Sequence, residues 1–186
     1  MVEAGVDKVT EKRRRILDAA RFLVLRQGLR ATTMEAIARE ARIAKPTLYA
    51  QFADKDAVFT GIIDEMLGDL LAAYEAGMAG PGDLPERIGA ALAGKYGVIN
   101  AVLAGSPHAD ELYDEHNRAA GRFRALDERV RGEIAAELKG AGAADADGLA
   151  RLVLAGAYGI ARKLGPDEIG PGIRQLCRRL IRPALD

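Results

Sequence analysis

The stretch that decides the fold is Thr32-Thr33-Met34-Glu35-Ala36-Ile37-Ala38-Arg39-Glu40-Ala41-Arg42-Ile43-Ala44-Lys45-Pro46-Thr47-Leu48-Tyr49-Ala50-Gln51-Phe52-Ala53-Asp54-Lys55-Asp56. Met34, Ile37, Ala38 and Ala41 recur at helical spacing and predict one buried face. Thr32 and Glu35 stand at capping-box spacing, each able to satisfy an amide left open at a helix start. Only Arg42 and Ile43 separate that face from Ala44-Lys45-Pro46. Proline suits a first helical turn, so a second short helix starts here and carries Leu48 and Phe52 inward. Asp54 reads as the next N-cap. Two short helices joined by a tight turn have the layout of a helix-turn-helix, although many helical hairpins bind nothing.

Working outward, helical periodicity continues in both directions. Ile16, Ala19, Ala20, Leu23 and Val24 form a stripe ahead of the motif, with Gly28 at the place of a C-terminal cap. After it, Phe59, Ile62, Ile63, Met66, Leu67, Leu70, Leu71 and Tyr74 predict a helix of about 20 residues, roughly 30 Å long at the α-helical rise. Gly77 to Asp83 breaks it. Ile88, Leu92, Ile99, Val102 and Leu103 mark a further helix up to Gly105-Ser106-Pro107, where Ser106 should cap the next one. That helix carries Leu112, Phe123, Leu126, Val130, Ile134 and Leu138. Asp147 is expected to cap another, bearing Leu149, Leu152, Val153, Gly156 and Ile160, and a last helix after Gly165-Pro166 carries Ile173, Leu176, Leu180 and Ile181. No segment has convincing strand periodicity. The expected fold is all-α with about nine helices.

Composition narrows the class. Apolar residues make up 49 % of the chain, enough for a core and too many for wholesale disorder. A single cysteine, Cys177, cannot form an internal disulfide and fits a reducing, cytoplasmic setting. Glu3, Asp7, Lys8, Glu11 and Lys12 interrupt any signal-peptide core, and the uncharged run from Tyr96 is too short to span a membrane. The 27 basic and 27 acidic side chains cancel, which at first argues against a nucleic-acid partner. The cancellation is uneven: residues 1–59 hold 12 basic and 8 acidic side chains, a net of +4, and residues 60–186 hold 15 and 19, a net of −4. A basic terminal block is one footprint of nucleic-acid binding. Its densest run, Lys12-Arg13-Arg14-Arg15, reads either as the solvated start of a helix or as a set of phosphate contacts.

The quoted stretch closely resembles the DNA-binding signature of TetR-family transcriptional regulators. The Thr32-Thr33 start, the Ile37-Ala38 core, Lys45-x-x-Leu48-Tyr49, the aromatic Phe52 three residues on and Lys55 all stand in the family's order and spacing. The resemblance covers about residues 11–60 and implies a DNA-binding domain over residues 1–56, followed by an effector-binding and dimerisation domain over residues 57–186. It assigns a sugar-phosphate contact to Tyr49 and phosphate anchors to Thr33 and Lys55. Lys45, Thr47 and Gln51 lie mainly off the Leu48–Phe52 face and carry groups suited to base edges: Gln pairs with adenine, Lys with guanine or phosphate, Thr with a thymine methyl. Arg42 and Ala44 complete the expected DNA-facing set, and Tyr49 has half-core placement as its alternative. Arg42 stands where the family's turn commonly has glycine. A positive φ there costs on the order of 1 kcal/mol, unless the turn relaxes or Arg42 contacts phosphate. Pro46 replaces another usual glycine. Val24 occupies a common phenylalanine position, for which Phe22 offers compensation.

The resemblance further implies a homodimer that binds a palindromic double-stranded DNA operator, most simply a repressor released by a small-molecule effector. No cofactor, enzymatic activity or membrane partner is expected. Tyr74, Tyr96, Tyr113, Phe123 and Tyr158 are candidates to line an effector pocket, with ordinary core packing as the alternative. Ala155, Gly156, Ala157, Gly159 and Ala161 would let one helix pack closely on a twin, or equally within its own chain. His108, Glu111, Glu115 and His116 fall near one helical face, but an acid-rich helix start explains that grouping without a metal, and no metal site is expected. A helical enzyme or carrier, and a pure protein-interaction bundle, are the competing classes. No nucleophile–base pair or paired carboxylates support the enzyme.

Overall fold

The computed structural model describes residues 3–103, 106–108 and 120–185. Among these residues the chain is built from α-helices: α1 Glu3–Gln27, α2 Met34–Glu40, α3 Lys45–Tyr49, α4 Lys55–Met78, α5 Leu84–Leu103, α6 Ala120–Gly140, α7 Ala146–Lys163 and α8 Pro166–Ile181, with a closing 3-10 turn Arg182–Ala184. The fold is all-α, with eight helices described against about nine expected. The expected helix from Ser106 is described only from Ala120. Ser106 itself accepts a bond from the His108 amide at 3.1 Å and donates to the Leu25 carbonyl at 2.5 Å.

The helices form two compact units. One runs to Met66 and includes Ser106–His108; the other runs from Leu67 and includes the chain from Gly121 onward. The 24-residue α4 contributes to both. In the first unit, Ile16, Leu17 and Ala20 of α1, Ile37 and Ala38 of α2, Leu48 of α3 and Val58 and Ile62 of α4 make one core, joined by Phe52 from the loop. Each large side chain buried this way contributes about 1.5–3 kcal/mol from apolar burial. In the second, α5 lies along α8 and α7, and Ile88, Leu92, Val130, Ile134, Leu138, Val153, Ile173 and Cys177 are fully buried. Two glycines permit close helix crossings there. A Cβ on Gly77 of α4 would stand 2.3 Å from the Ala91 backbone, and one on Gly89 of α5 would stand 3.1 Å from Arg174 Cα.

Lys95 of α5 is the exception in this second core. It is only 3 % exposed, and its ammonium reaches Asp127 at 2.6 Å and lies 4.4 Å from the Tyr96 ring centroid. A buried ammonium needs such partners, because an unpaired one carries a large desolvation cost.

The structure corrects several local expectations. The cap of α2 is Thr33, whose Oγ1 accepts from the Ala36 amide at 3.1 Å; Thr32 is buried and donates to the Gly28 carbonyl at 2.9 Å. One hydroxyl thus closes the preceding loop and the next caps the helix, and Glu35 is not used as a capping-box partner. Asp145, not Asp147, caps α7 through the Gly148 amide at 3.0 Å. Asp147 instead pairs with Arg151 at 2.6 Å and with Arg131. Leu152 and Leu180, on apolar stripes by spacing, are 63 % and 36 % exposed. Phe22 does not compensate for Val24: Val24 is buried, whereas Phe22 is exposed beneath Arg26.

Candidate nucleic-acid interface

The turn between α2 and α3 shows why these two helices hold a fixed geometry. At the end of α2 the Arg42 amide donates to Arg39 O at 3.2 Å and the Ile43 amide donates to Ala38 O at 3.0 Å. That pair of bonds is a Schellman motif, and it requires a left-handed residue at Arg42, whose φ is +54°. Ile43 then packs against the core, supplying the apolar contact that accompanies the motif. The end of α6 repeats the bond pattern with glycine at the left-handed position, Gly142 at φ +95°. Arg42 is the only described non-glycine residue at positive φ.

Arg15 supports the turn from outside. Its guanidinium donates to the Ala41 carbonyl at 2.9 Å, satisfying an acceptor that the end of α2 leaves open. Arg13 lies over the Phe52 ring, 4.3 Å from its centroid. Two members of the basic run are therefore fastened to the helix-turn-helix, while all four residues remain exposed. Nothing local in the sequence marks Arg15 as a support, since its partner is 26 residues away.

The eight expected DNA-facing residues all lie in or beside these two helices. Thr33 is exposed and caps α2, which uses its oxygen as acceptor and leaves its hydroxyl proton to donate. Arg42 is exposed at the turn, and Ala44 is the exposed N-cap of α3. Tyr49 is 49 % exposed at the end of α3, with Leu48 beside it completely buried. Thr47 is half-buried on α3, and Gln51 is half-buried just past that helix's Ala50 C-cap. Lys55 opens α4 but its ammonium is engaged, donating to the Leu29 carbonyl at 3.0 Å. Lys45 is exposed at the first turn of α3 and pairs with Glu35 of α2 at 2.9 Å. That hydrogen bond holds the Glu35 carboxyl below the ordinary carboxylate range. In the sequence, the capping-box spacing of Glu35 with Thr32 gives no sign of this pairing.

The residues 16–62 match the family described as bacterial regulatory proteins, tetR family. Over that segment the chain is similar to the TetR family. Over 118 residues it is 33 % identical to the HTH-type transcriptional repressor KstR2 of Rhodococcus jostii, an alignment covering 63 % of this chain and 57 % of that protein. The chain thus spans somewhat over half the length of that relative. Its fold matches solved TetR-family structures: SCO4454 of Streptomyces coelicolor has a TM-score of 0.73 at 18 % identity, covering 100 % of this chain and 95 % of that one. A TetR transcriptional regulator of Chloroflexus aurantiacus has a TM-score of 0.70 at 21 % identity, covering 95 % and 97 %. At these identities the likeness is one of TetR-family fold.

Among the described residues the aromatics expected around an effector differ in placement. Tyr74 and Tyr96 are buried core residues, and burial raises both phenol pKa values. Phe123 is half-buried, Tyr158 is 57 % exposed, and Tyr113 lies outside the described residues. A cleft of about 370 Å³ opens elsewhere in this unit, lined by Ala93, Gly97, Asn100, Pro166, Ile169 and Pro171 among others. Of the grouping around His108, residues Glu111, Glu115 and His116 lie outside the described residues. No helix among the described residues is long and apolar enough to cross a membrane.

Proposed function

We propose that this chain is a DNA-binding transcriptional regulator, a repressor that binds a palindromic operator as a homodimer and is released by a small, largely apolar effector. The observation that carries the reading is the exposed set Thr33, Arg42, Lys45 and Tyr49, held by two short helices whose turn is fixed by the Arg42 Schellman motif. A recognition helix in the major groove needs this kind of rigid base. In this reading Thr33, Arg42 and Tyr49 touch phosphate and sugar, which positions the protein, while Lys45, Thr47 and Gln51 face base edges, which specify sequence. Ala44 sits where the α3 backbone would approach DNA most closely. Lys55 holds the α1–α2 loop and comes near phosphate only alongside that bond.

Two observations support the remaining parts. Leu152 and Tyr158 are exposed along α7 with the small Ala155 between them, a surface suited to a twin. Gly156 serves the chain's own packing instead, since a Cβ there would stand 2.7 Å from Leu176. The cleft lined by Asn100 and Pro166 is our candidate for effector entry. Effector action requires only that the ligand bind one separation of the two heads more tightly than the other.

Selection from a random duplex pool tests the reading. The expected product is a two-fold symmetric sequence whose half-sites stand about 10 base pairs apart, one helical turn, or a multiple of it. Enrichment of no sequence would overturn it.

A further inference from the structure

We infer that Glu35 sets the DNA affinity of this protein by holding Lys45 away from the nucleic acid, acting as a brake on binding rather than as a contact. The inference rests on the reading of the helix-turn-helix as a DNA interface and concerns how that same surface is tuned.

The two side chains belong to neighbouring helices of the motif, ten residues apart, and their charged atoms meet at 2.9 Å. Both are more than half exposed, at 57 % for Lys45 and 56 % for Glu35, so the pair lies on the surface and stays open to a competing anion. Glu35 follows Thr33 by two residues in the first turn of α2, and Lys45 opens α3. A phosphate or a guanine edge reaching Lys45 must therefore displace a carboxylate already bonded to it. That same carboxylate, left without its cation, faces a polyanion. Both effects oppose association, and where the group that reaches Lys45 is a phosphate neither depends on which base sequence is presented. Glu35 thus lowers binding to every duplex and makes the sequence-reading contacts of Thr47 and Gln51 a larger share of what remains.

The size follows from the pair's exposure. Surface ion pairs are weak, so releasing Lys45 should tighten binding about threefold per head, and about tenfold for a two-headed protein. Salt screens the pair, so the gain should be greatest at low ionic strength and shrink as salt rises.

The test measures binding of the intact wild-type protein, Glu35→Gln, Lys45→Ala and the double variant to a selected operator and to an unrelated duplex, across a range of salt. Glu35→Gln is nearly isosteric at an exposed position, and an unchanged thermal midpoint confirms that it folds as the wild type does. The expected result is tighter binding of Glu35→Gln to both duplexes, with the gain much reduced when Lys45 is also replaced. Unchanged or weaker binding by Glu35→Gln, with the wild type binding normally, overturns the inference and leaves the DNA-binding reading intact. Tightening of equal size with and without Lys45 also overturns it, because Glu35 would then act by bulk charge alone. Failure of the wild type to bind any duplex in a salt-dependent way overturns the reading and this inference together.

Discussion

Arg42 carries the conformational cost of the turn that joins α2 to α3. Its left-handed conformation costs about 1–2 kcal/mol, while glycine there would add about 0.5–1 kcal/mol of chain entropy to the unfolded state. Arg42→Gly should therefore raise stability by roughly 0.5–1 kcal/mol in a denaturant titration, and Gly142 at the matching turn of α6 shows that the backbone accepts it. If Arg42 touches phosphate, the same variant binds DNA more weakly, so that stability and affinity move in opposite directions. Affinity that rises along with stability would remove Arg42 from the interface. Arg15 makes the complementary case. Arg15→Ala leaves the Ala41 carbonyl without its guanidinium and should cost about 1 kcal/mol, seen as faster hydrogen exchange at Arg42 and Ile43. Unaltered exchange there would mean that the Schellman bonds hold the turn unaided.

At the scale of elements, close crossings govern the second unit. Gly77→Ala would push a methyl into the Ala91 backbone, where nothing flexible can yield, and should destabilise by about 1–3 kcal/mol or more. Gly132→Ala, in the middle of α6 with open space around it, should stabilise by about 0.5–1 kcal/mol. Thermal melts of the two variants moving in the same direction would contradict these crossings. The same contrast explains what was legible beforehand. Helices with a continuous apolar stripe, such as α4 and α8, are plain from spacing, because the stripe that marks them is the one that buries. Caps are harder to read. Thr32 and Thr33 are chemically alike, and only the need to close the Gly28 loop decides which one caps α2. Leu152 is misread for a related reason: periodicity finds an apolar face but cannot tell whether the chain itself covers it. In the interface, the side chains of the two helices follow from their positions in the motif. The Arg15–Ala41 bond and the Glu35–Lys45 pair do not, because each joins residues of different helices by a geometry that exists only after folding.

For the whole molecule, charge is divided along the sequence in a way its zero sum conceals. The basic block holds the helix-turn-helix, and two of its cations, Arg13 and Arg15, also brace that motif. In the second unit, packing silences the one cysteine. Burial pushes the Cys177 thiol up to about 12, so almost no thiolate exists near neutrality. A thiol reagent should leave the folded protein unmodified and label it only on unfolding; prompt labelling of the native state would show that α8 opens. The claim that gives these parts a common purpose is sequence-specific DNA binding by a pair of heads. Its most direct test is the affinity of the intact protein for its selected operator as a function of salt. Two heads that each bring the cations Arg42, Lys45 and Lys55 against the DNA polyanion predict a logarithmic slope of about −5 or steeper, with binding weakened uniformly across sequences by Tyr49→Phe. A slope near zero, or equal affinity for the selected operator and unrelated duplexes, would contradict it.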